Sequence, residues 1–367
     1  MRKLLLVLLS GLLISESALA CTAVNIEAKD GTVVAGRTME WALNMGWQLQ
    51  YVPKGTSFKL VAPNNLDLPA LNVTSKYALV GISTAMVDGA FLDGQNEKGL
   101  AVSGNFLPGF TEYESVVKTD KNYMSILQAI QFILSSYATV DEAKQNLPNY
   151  KIWGASVPKL GFIPTIHLLV TDKTGNDMVI EFIDGKMVIF DKTNGVMTNA
   201  PNYDWHTTNL RNYLNLSNTG AYVKPSNDDN LNAVNITSLG QGSGGIGLPG
   251  DYTSPSRFVK TSYLKYFAKQ PQNSIEAVQQ VDHLLNNVDI SNGSVTEANG
   301  GHIMDEVTQW IVLKDLSNNQ LYLSDYNHRT NFAQNDLNEV FKLAKPMKIN
   351  INNIAYPTSK INNPFAN

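Results

Sequence analysis

The chain has a single cysteine, Cys21, in 367 residues. An internal disulfide is therefore excluded, and core packing must hold the fold, as this length allows. The five histidines, His167, His206, His283, His302 and His328, fall into no metal-ligand spacing, so no metal site is expected. Charge is also scarce: 16% of residues are Asp, Glu, Lys or Arg, and the net charge is −4. No basic stretch offers a footprint for nucleic acid or for an anionic membrane. Past residue 20 no apolar run is long enough to span a bilayer, so stable membrane insertion is not expected. The glycine-rich stretch 240–250 lacks a P-loop lysine, and no bound cofactor is implied.

What is present begins with the leader. Arg2 and Lys3 precede the apolar run 4–14, and Ala18-Leu19-Ala20 is a small-x-small cleavage site. This is the pattern of a secretory signal, residues 1–20, and it predicts an exported chain, periplasmic or secreted, that starts at Cys21. A lipoprotein anchored through an acylated Cys21 is the non-enzymatic alternative. The order Ala-Leu-Ala suits an ordinary signal peptidase better.

Residues 22–26 and 32–37 are β-rich runs around Lys29-Asp30-Gly31, which predicts a hairpin. Further strands are predicted at 77–86, 100–103, 166–171, 178–183, 186–190, 195–198, 309–314 and 320–323. Helical periodicity covers 124–137, 140–147 (with Thr139 as N-cap), 205–213, 256–267 and 274–285. Short hairpins between the strands, rather than βαβ crossovers, predict an α+β fold of stacked antiparallel sheets covered by helices. Residues 215–250 read as a long functional loop, and the Asn-rich tail after Thr330 as a surface wrap. With no repeat and no composition break, residues 21–367 are expected to form one domain.

A cysteine thiol is only a few per cent ionised at neutral pH and needs a base. Here the histidines carry no cysteine-protease signature. An α-amino group, with a pKa of about 7.7–8.0, can be the base for the side chain of its own residue. Beyond the hairpin turn, GRTMEW (36–41) returns Arg37 and Glu40 toward Cys21, predicting a guanidinium and a carboxylate beside the thiol. Taken alone, such a pair is more often a surface ion pair. Asn105 and Asn199 would be turn residues, Arg257 a surface cation, and Trp205, Trp310 and His206 packing residues.

Six blocks change that reading: the Cys21-Thr22 start, GRTMEW, DGQNEKGLAVSGNFLPGF (93–110), GVMTNAPNYDWHTTNLRNY (195–213), LPGDYTSPSRF (248–258) and TQWIVLKDLSNNQLYL (308–323). Together they resemble the choloylglycine hydrolase and penicillin V acylase family of N-terminal nucleophile hydrolases. The resemblance implies a four-layer αββα sandwich of two stacked antiparallel sheets and hydrolysis of a small-molecule acyl amide through a thioester. It implies Cys21 as nucleophile with its amine as base, and Arg37 near the thiol. Glu40 stands where the best-known members have Asp. Asn105 is implied as an oxyanion-hole side chain, Asn199 as the holder of the amine, and Arg257 as a second active-site arginine. The tryptophans and histidines keep their structural reading. The resemblance further implies a homotetramer. The acylase-like branch is favoured by the export signal, with penicillin V or an N-acyl homoserine lactone as substrate; bile salts and N-acylethanolamines are the alternatives. The acyl pocket is expected from loops 41–47, 86–92 and 105–113 and the glycine-rich stretch.

Overall fold

The computed structural model describes residues 20–158, 161–220, 240–299 and 302–358. The leader, residues 1–19, most of the 215–235 loop and the end of the tail lie outside the described residues.

Two antiparallel sheets dominate. The first is ordered β14-β1-β2-β16-β17-β18, from β1 (Thr22–Glu27), β2 (Val33–Trp41), β14 (Val196–Met197), β16 (His302–Asp315), β17 (Gln320–Asp325) and β18 (Ala333–Asp336), with β15 (Val295–Asn299) paired to β16. The second is ordered β13-β12-β11-β8-β7-β6-β3-β19. Its strands are β3 (Trp47–Val52), β6 (Leu79–Thr84), β7 (Phe91–Asn96), β8 (Leu100–Phe106), β11 (Ile166–Asp172), β12 (Asp177–Ile183), β13 (Lys186–Asp191) and β19 (Met347–Asn350). Small two-stranded sheets join β4 (Ser57–Leu60) to β5 (Leu71–Thr74) and β9 (Tyr123–Ser125) to β10 (Lys151–Trp153).

Alternation along the strands builds the layers. On β16, Trp310 and Val312 face the second sheet, while Ile311 and Leu313 face α4 (Ser254–Phe267) and α5 (Ser274–Asn286). The far side of the second sheet is covered by α1 (Ile126–Ser136), and α2 (Val140–Asn146) follows it. The result is the expected α+β sandwich, αββα. Burial on both faces leaves every residue of β2 buried. Gly36 permits it, because a Cβ there would lie 2.4 Å from Val281 and 2.9 Å from Leu285 on α5.

The differences from the expected elements have physical causes. The first helix begins at Ile126 because Tyr123–Ser125 pairs with β10. The helix expected at 205–213 is α3 (Tyr203–Asn209) followed by a 3-10 turn. β7 escapes a β-propensity reading because FLDGQN is polar, and its polar side chains are buried on tertiary partners. Asp93 pairs with Lys314, and Asn96 donates to the Leu134 and Tyr137 carbonyls at 2.8 and 2.7 Å. The tail does more than wrap the surface. β18 and β19 supply the outer strand at one edge of each sheet, joined by α6 (Leu337–Val340) and a short coil.

Candidate active site

The Asp30-Gly31 turn, with Gly31 at φ 85°, sets β1 against β2 in the register Thr22↔Thr38 and Ala23↔Arg37. This register carries Cys21, just before β1, to Met39. The thiol is fully buried, 3.6 Å from Met39 Sδ and 3.5 Å from Arg37 Nη2. The Arg37 guanidinium donates from Nε to Asn105 Oδ1 (3.0 Å) and from Nη2 to the Gly104 carbonyl (2.7 Å). Its centre lies 4.8 Å over the Trp310 ring, a cation–π contact. Trp310 is a core residue, as expected, and it also forms the floor under Arg37.

The backbone N–H of Cys21 donates to Asn199 Oδ1 at 2.7 Å. That oxygen also accepts from Arg257 Nη2 at 2.7 Å, while Asn199 Nδ2 donates to the Phe106 carbonyl at 2.8 Å. Arg257, near the start of α4, uses Nη1 on the Cys21 carbonyl and Thr22 Oγ1, both at 2.7 Å, and Nε on the Tyr252 carbonyl at 3.0 Å. All six sequence-selected residues therefore lie within one buried region, at no more than 3% exposure each. Among the described residues no carboxylate forms an ion pair with Arg37 or Arg257.

Two residues sit differently from expectation. Arg37 and Glu40 are three apart on one strand, and side chains alternate, so they point to opposite faces of the sheet. Arg37 faces the thiol. Glu40 lies on the other side, with Oε1 accepting from Thr308 Oγ1 at 3.1 Å and Oε2 lacking a partner among the described residues. Burial pushes its pKa up to about 8, against the pull of Arg257, the Thr38 and Thr308 hydroxyls and Arg37. Asn105 sits beside Arg37, but both of its Nδ2 protons are committed, to the Met197 and Thr198 carbonyls at 3.2 and 2.9 Å. In this arrangement its side chain has no N–H left for an oxyanion.

Burial raises the Cys21 thiol pKa and Glu40 adds to the rise. Arg37 opposes it most, followed by the Glu40 backbone N–H and Arg257. Burial thus disfavours the thiolate, while Arg37 and Arg257 are the two cations that favour it.

Two histidines, expected to be structural, grip the segment that carries Asn199. His167 Nε2 donates to the Thr198 carbonyl at 3.0 Å, with Nδ1 3.0 Å from Glu181 Oε1. His206 Nε2 donates to the Asn199 carbonyl at 2.8 Å. Their partners are main-chain carbonyls, which leave no mark on a sequence pattern. Trp205, by contrast, is 44% exposed on the surface.

Beside the site is an apolar cavity of about 30 Å³ lined by Trp41, Trp47, Leu92, Phe106, Ile126 and Phe162, among others. Trp41 lies 5.6 Å from Phe106 and 6.3 Å from Phe162, ring centre to ring centre. The expected segments 41–47, 86–92 and 105–113 all contribute. The described glycine-rich residues do not; they fold back on Ser217, whose N–H donates to the Gly244 carbonyl at 2.9 Å.

The model of linear amide C–N hydrolases, choloylglycine hydrolase family, matches residues 21–342. The chain belongs to that family. The match begins at Cys21 and spans all six site residues. The bile salt hydrolase/transferase of Clostridium perfringens is 31% identical over 341 residues, covering 90% of this chain and 99% of the relative. A crystal structure of a mutant conjugated bile acid hydrolase from C. perfringens superposes with a TM-score of 0.77 at 28% identity, covering 90% of this chain and 96% of the other. The penicillin V acylase of Pectobacterium atrosepticum is 31% identical over 239 residues, 63% of this chain and 55% of that protein. The sandwich is thus the N-terminal nucleophile hydrolase fold, and the chain is a linear amide hydrolase.

Proposed function

We propose that this chain is an exported amidase, cut after Ala20, which uses Cys21 as nucleophile and the amine released by that cut as base. The observation that carries the reading is the placement of Cys21. Its nitrogen is 2.7 Å from Asn199 Oδ1 and its sulfur 3.5 Å from Arg37, with no imidazole, among the described residues, hydrogen-bonded to either atom.

In the cut chain, Asn199 Oδ1 holds one amine proton, and the free lone pair takes the thiol proton. Arg37 stabilises the thiolate as it attacks the amide carbonyl. The oxyanion is met by the second Nδ2 proton of Asn199 and by the Phe106 N–H. Leu107 N–H bonds Thr165 O at 2.6 Å, so the neighbouring Phe106 N–H points away from β11. On collapse, the ammonium of Cys21 returns its proton to the leaving nitrogen, the C–N bond breaks and the amine departs. A water molecule then gives a proton to the same amine and attacks the thioester, which releases the acid and restores the thiol. Asn105 acts by orienting Arg37, and Glu40 by setting the field around Arg257 and the amine. We assign residues 21–367 to one domain that assembles as a homotetramer, as the family resemblance implies.

The apolar lining of the cavity suits an apolar acyl group, and the export signal favours the acylase-like branch, with penicillin V or an N-acyl homoserine lactone as substrate. A bile-salt reading is favoured instead by the relatives named above. Turnover of penicillin V, glycine and taurine bile conjugates and long-chain acyl homoserine lactones by a chain beginning at Cys21 decides between them. Cys21→Ser should lose roughly 10³-fold or more in kcat, because a hydroxyl ionises far less readily. A chain that keeps Ala20 should be silent. Full activity of either would sink the mechanism, and a diacylglyceryl mass on Cys21 would sink the enzyme reading.

A further inference from the structure

We propose that Glu306 walls the leaving-amine subsite and selects amides whose amine half is neutral or cationic over those bearing a carboxylate or sulfonate close to the nitrogen. This inference rests on the amidase reading above.

In the uncut chain the N–H of Ala20 donates to Glu306 Oε1 at 3.1 Å, and Ala20 itself is 5% exposed. The Cys21 nitrogen already gives its own N–H to Asn199. When the Ala20–Cys21 bond is cut, the direction of the lost N–C bond is the one that opens on that nitrogen. The leaving nitrogen must come within hydrogen-bond reach of the Cys21 amine to receive its proton. The amine half of a substrate therefore enters the space that Ala20 vacates, and Glu306 is the charged side chain bonded into that space.

The surroundings reinforce a bias against anions. Glu306 and Thr308 are two apart on β16 and share a face, and Thr308 bonds Glu40, whose Oε2 is buried without a partner. Two carboxyl groups thus flank the amine from one side. Burial pushes Glu306 up to about 7 and Glu40 up to about 8, so this region resists negative charge even in its own side chains. Arg257 offsets this only in part. Arg257 has Nε, Nη1 and Nη2 on protein acceptors, and Arg37 lies on the thiol's face, bonded to Asn105 and Gly104. Arg37 keeps an unpartnered Nη1, but on the thiol's face of β2, opposite to the face of Glu40, so a carboxylate beside the scissile nitrogen would meet Glu306 first.

The test uses the chain beginning at Cys21 and amides of four amines, homoserine lactone, ethanolamine, glycine and taurine, each made with decanoyl and with phenoxyacetyl and compared within one acyl group. At about pH 8.5, where Glu306 with its pKa of about 7 is ionised, we expect kcat/KM for the neutral pair to exceed that for the anionic pair by roughly ten- to a hundredfold, since like charges in contact are costly. Glu306→Gln should collapse that ratio toward unity, and Glu306→Lys should invert it. Hydrolysis of any of the four by wild type and not by Cys21→Ser upholds the amidase. If the ratio is then unchanged in both Glu306 variants, or already favours glycine and taurine in wild type, the assignment of Glu306 is overturned alone. If wild type turns over none of these amides, this inference falls; if it also turns over no glycine or taurine bile conjugate, the amidase reading falls with it.

Discussion

Replacing Arg37 by methionine removes the nearest positive charge from the thiol while keeping most of the side-chain volume. At the observed 3.5 Å, the Coulomb attraction between guanidinium and thiolate is about 5 kcal/mol at an effective dielectric near 20. Solvent relaxation and the remaining Arg257 reduce this to the usual effect of one adjacent charge, roughly one to three pKa units, or about 1.4–4 kcal/mol. Because Arg37 lowers the thiol pKa, its loss must move that pKa further up. The assay is the second-order rate of iodoacetamide alkylation of the single cysteine against pH, for wild type, Arg37→Met and Arg37→Lys. The inflection should move to higher pH by at least about one unit in Arg37→Met and by less in Arg37→Lys, which keeps the charge. kcat/KM at neutral pH should fall by about 10- to 10³-fold in the methionine variant. Arg37→Met also strands Asn105 Oδ1 and the Gly104 carbonyl, costing about 1–3 kcal/mol of stability for each acceptor left unpaired. Melting curves identify the temperature at which both variants are folded. An inflection that stays put in folded Arg37→Met would refute the claim that this guanidinium stabilises the thiolate.

Asn199→Ala removes the acceptor of the Cys21 nitrogen and the proposed oxyanion donor together, and kcat should drop about 10²- to 10³-fold or more with a smaller change in KM. Equal loss in kcat and gain in KM would argue for a mere structural role. His167→Gln, which loses the Glu181-backed grip on the Thr198 carbonyl, should lower kcat about tenfold, while the alkylation inflection of Cys21 stays in place. His206 is buried against Phe258, and burial pulls its pKa down to about 4. Its folded pKa lies below the unfolded value of about 6.5, so its stabilising contribution is complete above pH 6.5 and is lost as pH falls toward 4, up to about 3 kcal/mol. Urea midpoints of wild type and His206→Gln between pH 7 and 4 should converge as pH falls; parallel curves would show that His206 does not titrate on unfolding.

The parts of the fold that could be read from sequence are those with local causes. The β1–β2 hairpin follows from a glycine turn between β-branched runs, and α2 from the Thr139 cap, whose hydroxyl accepts from the Glu142 N–H. The strand β7 was hidden because its polar residues answer to Lys314 and to the end of α1, both far away in the chain. Within the site, hairpin register sufficed to bring Arg37 to Cys21. The same period of two sends Glu40 to the other face, a detail that the proximity argument overlooked. Asn199 and Arg257 reach Cys21 from 178 and 236 residues away, and only the family resemblance singled them out. Glu306 left no trace because its partner, the Ala20 N–H, lies 286 residues away in the chain.

The strand order of the first sheet also governs when this chemistry can begin. β2, which carries Arg37, takes β16 as its second neighbour, with Thr38 opposite Ile311 and Arg37 opposite Val312. Trp310, the floor under the guanidinium, arrives on the same late strand. A ribosome must therefore have made more than three quarters of the chain before Cys21 acquires its setting. Until then the thiol and Arg37 have no sheet between them and the solvent, and the nascent segment is an ordinary peptide with an ordinary cysteine. Contacts this distant in sequence also close slowly. Synthesis order thus leaves the thiol without its buried setting until the last strands are in place.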